Sequence, residues 1–119
     1  MGTYNLTYTE TAKRNIIEIA GYISHELKAP ESARKLVTKL MQAAADITVF
    51  PYAHSIHQMP QNEEPLKHEY RKILVDNYFI FYYVDETQSL IVVSAVIYAR
   101  RRLLKQLRKA ECSDKPQNQ

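Results

Sequence analysis

The chain has 119 residues, 45% of them hydrophobic and 24% charged, enough for one modest core and too little for two. Its single cysteine, Cys112, excludes a disulfide framework within the chain and fits a reducing compartment. The formal net charge is only +3, yet six Lys or Arg residues and no acid fall between Arg100 and Lys109. That asymmetry points to an anionic partner.

Tyr4 to Tyr8 alternates as a short strand does. Thr9 then caps a helix with Glu10 in its first turn, and Ala12, Ile16, Ile19, Ala20, Ile23 and Leu27 form one apolar stripe at helical spacing. The helix should fade near Lys28. Pro30 suits the first position of a second helix, whose stripe is Ala33, Leu36, Val37, Leu40, Met41, Ala44 and Ile47 and which closes by Pro51. Two amphipathic helices joined by so short a link fold back as a hairpin.

From Tyr52 to Pro65 the composition turns to His, Gln, Asn, Glu and Pro, the one long loop. Three strands follow, separated by turn signals at Asp76-Asn77 and from Asp85 to Ser89. The first carries Arg71 and Lys72, the second is aromatic, and the third is β-branched from Ile91 to Ile97 and runs into Tyr98 and Arg100 to Arg102. A short basic helix comes next. The predicted layout is α+β, a helical hairpin covering one face of a small, mostly antiparallel four-stranded sheet. One domain spans residues 1–111, and 112–119 is expected to be a disordered tail.

No apolar run approaches the length needed to cross a bilayer, and the start lacks the basic-then-apolar pattern of a secretory signal. The expected location is the cytoplasm, away from membranes.

Four segments, YTETAKRNIIEIAGYI from Tyr8, VFPY at 49–52, YRKILVDNYFIFYYVDE from Tyr70 and VIYARR at 96–101, together resemble the RelE/ParE superfamily of toxins from bacterial type II toxin–antitoxin modules. The resemblance covers roughly residues 4 to 104. It implies a growth inhibitor neutralised by a cognate antitoxin, whose extended or helical segment wraps around the toxin. RelE-like members cut messenger RNA on the ribosome; ParE-like members poison DNA gyrase.

RNA cleavage needs a deprotonated 2′-hydroxyl, a neutralised phosphorane and a protonated leaving oxygen, so basic groups must cluster. By resemblance the nuclease candidates are Arg71 or Lys72, Tyr98 and Arg101. Arg71 and Lys72 are strand neighbours and point to opposite faces, so at most one joins a shared site. Phe79 stands where RelE-like members carry an arginine, and Leu107 stands near the place of their helix tyrosine. Relatives also use acid–base sets with His and Glu, for which His54, His57, His68 and Glu69 are candidates. Arg100, Arg101, Arg102 and Lys105 can equally bind antitoxin or target without chemistry, or simply face solvent. The aromatics of the second of these strands, Tyr78 to Tyr83, could stack on bases, although core packing is the commoner use. No spacing suggests a metal site, and no cofactor is called for. The losses at Phe79 and Leu107 favour a ParE-like inhibitor. The alternatives are a ribosome-dependent mRNA endonuclease and a decayed, non-toxic antitoxin-binding member, since Arg102 replaces the acid that usually ends the strand motif.

Overall fold

A computed structural model describes residues 4–59 and 61–113. In chain order the elements are β1 (Asn5–Tyr8), α1 (Glu10–Gly21), a π turn (Tyr22–Glu26), α2 (Pro30–Ile47), β2 (Arg71–Val75), β3 (Tyr78–Asp85), β4 (Leu90–Tyr98) and α3 (Leu103–Ser113). The sheet order is β1-β4-β3-β2. β1 lies parallel to β4, whereas β2–β3 and β3–β4 are antiparallel. The sheet is therefore mixed, and the hairpin-on-sheet layout holds.

Local chemistry accounts for most boundaries. Thr9 caps α1 by accepting the Ala12 N–H at 3.1 Å. Pro30 occupies the start of α2, where its missing N–H costs nothing. Between them α1 widens into the π turn, and Lys28 ends it with φ 53°. The wider turn swings the following side chains off the stripe. Leu27, expected in the core, is accordingly 56% exposed. Met41 lies at the margin of the α2 stripe and is exposed too, its sulfur taking a 3.4 Å hydrogen bond from the Tyr8 hydroxyl. The Asp76-Asn77 turn needs a left-handed residue and uses Asp76, φ 53°, whose short side chain tolerates it.

Apolar layers cover both faces of the sheet. On one, Leu36, Leu40, Ala44 and Ile47 of α2 and Ala12 of α1 pack on Ile80, Tyr82, Ile91, Val93 and Val96. On the other, Leu107 and Ala110 of α3 pack on Tyr70, Phe81, Ala95 and Ile97. Each buried Leu, Ile, Val or Phe side chain of these layers stabilises the fold by about 1.5–3 kcal/mol. The expectation that the β3 aromatics are core holds for Phe81 and Tyr82, which are fully buried on opposite faces. The Tyr82 hydroxyl, buried with its ring, donates to the Pro51 carbonyl at 2.7 Å.

Helix α3 continues through Ser113, so Cys112 is helical rather than part of a tail; residues 114–119 lie outside the described residues. Glu111 ties α3 to the long loop by accepting the Lys67 N–H and the Tyr70 hydroxyl, both at 2.8 Å. Residues 55–57 also edge the sheet, through His57 N–H to Tyr70 O at 2.8 Å and Lys72 N–H to Ser55 O at 3.0 Å. Among the described residues no helix is long and apolar enough to cross a membrane.

Candidate functional site

A bulge in β4 marks where its outer edge loses its partner strand. Phe81 faces Ala95 but Tyr82 faces Val93, which leaves Ser94 as the extra residue. Thr9 fastens this point, its N–H to Val93 O at 3.0 Å and its hydroxyl to Ser94 O at 3.1 Å. β1 has stopped at Tyr8, so from Ala95 onward no strand among the described residues covers the outer edge of β4. Asn15 of α1 takes over there, its Oδ1 accepting the Val96 N–H at 3.0 Å.

The uncovered edge floors a groove of about 1150 Å³ between α1 and α3. Ile19, Tyr22, Ile23, Leu27 and Tyr78 supply apolar wall, and Arg14, Arg101 and Lys109 bring cations, against the acids Glu18 and Asp76. Asp76 is already engaged by Lys39 at 3.2 Å. Tyr22, Leu27 and Tyr98 are exposed although apolar. The groove is thus greasy along its walls and cationic at its α3 side.

Of the sequence candidates, Tyr98 and Arg101 meet at this groove; the Arg101 N–H closes the turn onto the Tyr98 carbonyl at 2.9 Å. Tyr98 also packs against Tyr78, ring centroids 5.6 Å apart. Arg100, Arg102 and Lys105 are exposed beside it and make no ion pair among the described residues.

Arg71 and Lys72 are elsewhere. Arg71 pairs with Tyr82, whereas Tyr98 pairs with Tyr78, a separation of four β3 residues, about 13 Å along the strand. Lys72 faces the α3 side of the sheet, its Nζ 3.2 Å from His57 Nδ1 and 5.0 Å from the Phe79 ring centroid. Burial, then the Lys72 charge, lowers the His57 pKa. Phe79 and Leu107 are members of the apolar layer on that face.

The histidine candidates also separate. His54 sits edge-on to Tyr82, His57 edge-on to Phe81, and His68 stacks on Tyr83 with centroids 3.7 Å apart. His68 and Glu69 line one cleft together with Arg71. Among the described residues no group of three His, Cys, Asp or Glu side chains could hold a metal ion.

Sequence reasoning missed Asn15, the Ser94 bulge and a tyrosine clamp in which Tyr4 and Tyr52 both donate to the Glu86 carboxylate. That bond raises the Tyr52 pKa to about 12. Nothing local marks these residues, because each partner lies at least 34 positions away in the chain.

The model of the ParE toxin family of type II toxin–antitoxin (parDE) systems matches residues 6–103. The chain belongs to that family. Among solved structures it is similar to a chain of the RelBE2 toxin–antitoxin complex of Mycobacterium tuberculosis, with 14% identity, TM-score 0.54, and coverage of 82% of this chain and 99% of that one. It is likewise similar to a free, double arginine-to-alanine mutant of the Escherichia coli toxin RelE, again with 14% identity and TM-score 0.54, covering 92% and 98% of the two chains. At that identity the likeness concerns the fold alone. No curated protein sequence matches the chain. This ParE-family toxin thus has the expected RelE/ParE architecture, with its cations gathered at the β4–α3 turn and its other candidate groups spread over both sheet faces.

Proposed function

We propose that this toxin arrests growth from the cytoplasm by inhibiting DNA gyrase, and that a cognate antitoxin silences it by laying an acidic, partly apolar segment into the β4-edge groove. The observation that carries the first half is the dispersal of the nuclease candidates. Tyr98 and Arg101 lie at one end of the sheet, Arg71 at the other, and Lys72 on the opposite face. The groups that neutralise a phosphorane must all converge on one phosphate, each within hydrogen-bond reach of its oxygens. Phe79 and Leu107 supply only apolar surface where two further groups would be needed.

The groove's chemistry supports the second half. An extended segment can pair with the uncovered β4 edge while its apolar side chains meet Tyr22, Leu27 and Tyr98. Its acids would face Arg14, Arg101 and Lys109. The solved complex of the Mycobacterium tuberculosis relative pairs a toxin with an antitoxin.

Gyrase supercoiling of relaxed plasmid tests the reading: the purified toxin should inhibit it, and pre-mixed antitoxin should restore it. Full supercoiling at toxin excess would refute gyrase as target. The second reading, ribosome-dependent mRNA cleavage, draws on the Lys72–His57 contact, which sets a cation beside an imidazole. It would show as cleavage of ribosome-bound message that fails in Lys72→Ala. A chain inactive in both assays yet tightly bound by antitoxin would be a decayed member.

A further inference from the structure

A second cleft, of about 140 Å³, lies where β2 begins and is lined by Tyr52, His68, Glu69, Arg71, Tyr83 and Val84. It is at the far end of β3 from the groove and owes nothing to the gyrase reading. Its origin is topological. The β2–β3 ladder ends at the Arg71–Tyr82 pair, and beyond it β3 runs on to Asp85, paired with β4 on one side but with no strand on its β2 side among the described residues. Ladder alternation turns the backbone of Tyr78, Ile80, Tyr82 and Val84 toward β2, since the Ala99 N–H bonds Asn77 O on the opposite side. The Val84 N–H therefore points into the cleft and finds no backbone partner among the described residues.

Arg71 stands beside it, half-buried. One guanidinium nitrogen donates to the His54 carbonyl at 2.8 Å, and Cζ lies over the Tyr52 ring, 4.9 Å from its centroid. Among the described residues Arg71 has no carboxylate partner. Glu86, the nearby acid, is occupied by Tyr4 and Tyr52. A half-buried guanidinium with unused donors, next to an unused backbone N–H, matches two oxygens of a tetrahedral oxyanion. The stacked His68–Tyr83 pair walls one side, and Tyr52 braces the arginine. Glu69 at the cleft disfavours a bare, doubly charged anion and can accept from a neighbouring hydroxyl.

We propose that this cleft binds the phosphoryl group of a nucleotide, with Arg71 and the Val84 N–H on the phosphate oxygens, Glu69 on a ribose hydroxyl and the aromatic wall against the base. The volume suits a phosphate with an overhanging nucleoside rather than an enclosed ligand. The same oxyanion chemistry could be met by free phosphate, and the test separates the two.

The experiment is a titration of the ¹⁵N-labelled toxin with uridine monophosphate and, separately, inorganic phosphate, following the Val84 amide and Arg71 Nε–H resonances. Uridine monophosphate should shift both and bind more tightly than inorganic phosphate. Arg71→Gln should weaken it roughly tenfold or more, the effect expected from losing a charge-assisted hydrogen bond, while Arg100→Gln on the other basic surface should not. Inorganic phosphate binding as tightly as the nucleotide would overturn the nucleoside part. Unmoved Val84 and Arg71 signals in the unmutated chain, or equal weakening by Arg71→Gln and Arg100→Gln, would overturn the site.

Discussion

Asn15 Oδ1 accepts the Val96 N–H at 3.0 Å, a side chain of α1 standing in for the strand that β1 fails to continue. The bond fixes α1 against the end of β4 and so sets the width of the groove between α1 and α3. Replacing Asn15 by Ala leaves a part-buried backbone donor without its acceptor, at a cost of about 1–3 kcal/mol. Urea unfolding should show a lower midpoint at unchanged slope. An unchanged midpoint would mean that the contact is not a determinant of this edge.

Leu107 tests the proposal that the packed face under α3 carries no nuclease chemistry. It is fully buried against Phe81 and Ala95 in the layer under α3. Leu107→Ala should cost about 2–5 kcal/mol through the cavity it leaves. Leu107→Tyr, which restores the aromatic type of RelE-like members, should cost about 1–3 kcal/mol by overpacking and yield no RNA cleavage. Cleavage gained by Leu107→Tyr would show that the side chain reaches the surface.

Acid should weaken the fold through two histidines. Burial is the first cause lowering the pKa of both His57 and His68 below the ordinary 6.5, aided by Lys72 at His57 and resisted by Glu111 and Asp85 at His68. The unfolded chain therefore takes up protons before the folded one does. The stability held by the neutral rings is complete above the unfolded value, and it falls as pH drops from there to the folded values. Urea midpoints compared above and below that window should show the loss, and His57→Phe with His68→Phe should flatten it. A midpoint that rises on acidification would contradict the burial argument.

The basic rim and the apolar wall should separate in antitoxin binding. Raising salt should weaken the complex roughly tenfold through the cations near Arg101, which screening affects. Arg101→Ala should reduce that salt dependence, whereas Tyr22→Ala should lower affinity alike at every salt concentration. Calorimetry that finds no salt dependence would remove the cations from the interface.

What the sequence discloses here is what local chemistry decides. Thr9, Pro30 and Asp76 mark their caps and turn, and the stripe from Ala33 to Ile47 marks the buried face of α2. The opposite-face placement of Arg71 and Lys72 follows from strand alternation alone. The π turn escapes notice because its residues read as ordinary helix, and Leu27 is misplaced with it. The groove and the cleft both arise where one strand outruns its neighbour, at Ala95 on β4 and at Tyr83 on β3. Register of that kind is a property of pairs of strands, and no single segment carries it.

The most direct test of the account is pulse labelling after induced expression in bacteria, with thymidine and methionine incorporation followed side by side. A gyrase inhibitor stops thymidine incorporation first while methionine incorporation continues. Protein synthesis failing within minutes while DNA synthesis persists would contradict the account and place the target at the ribosome.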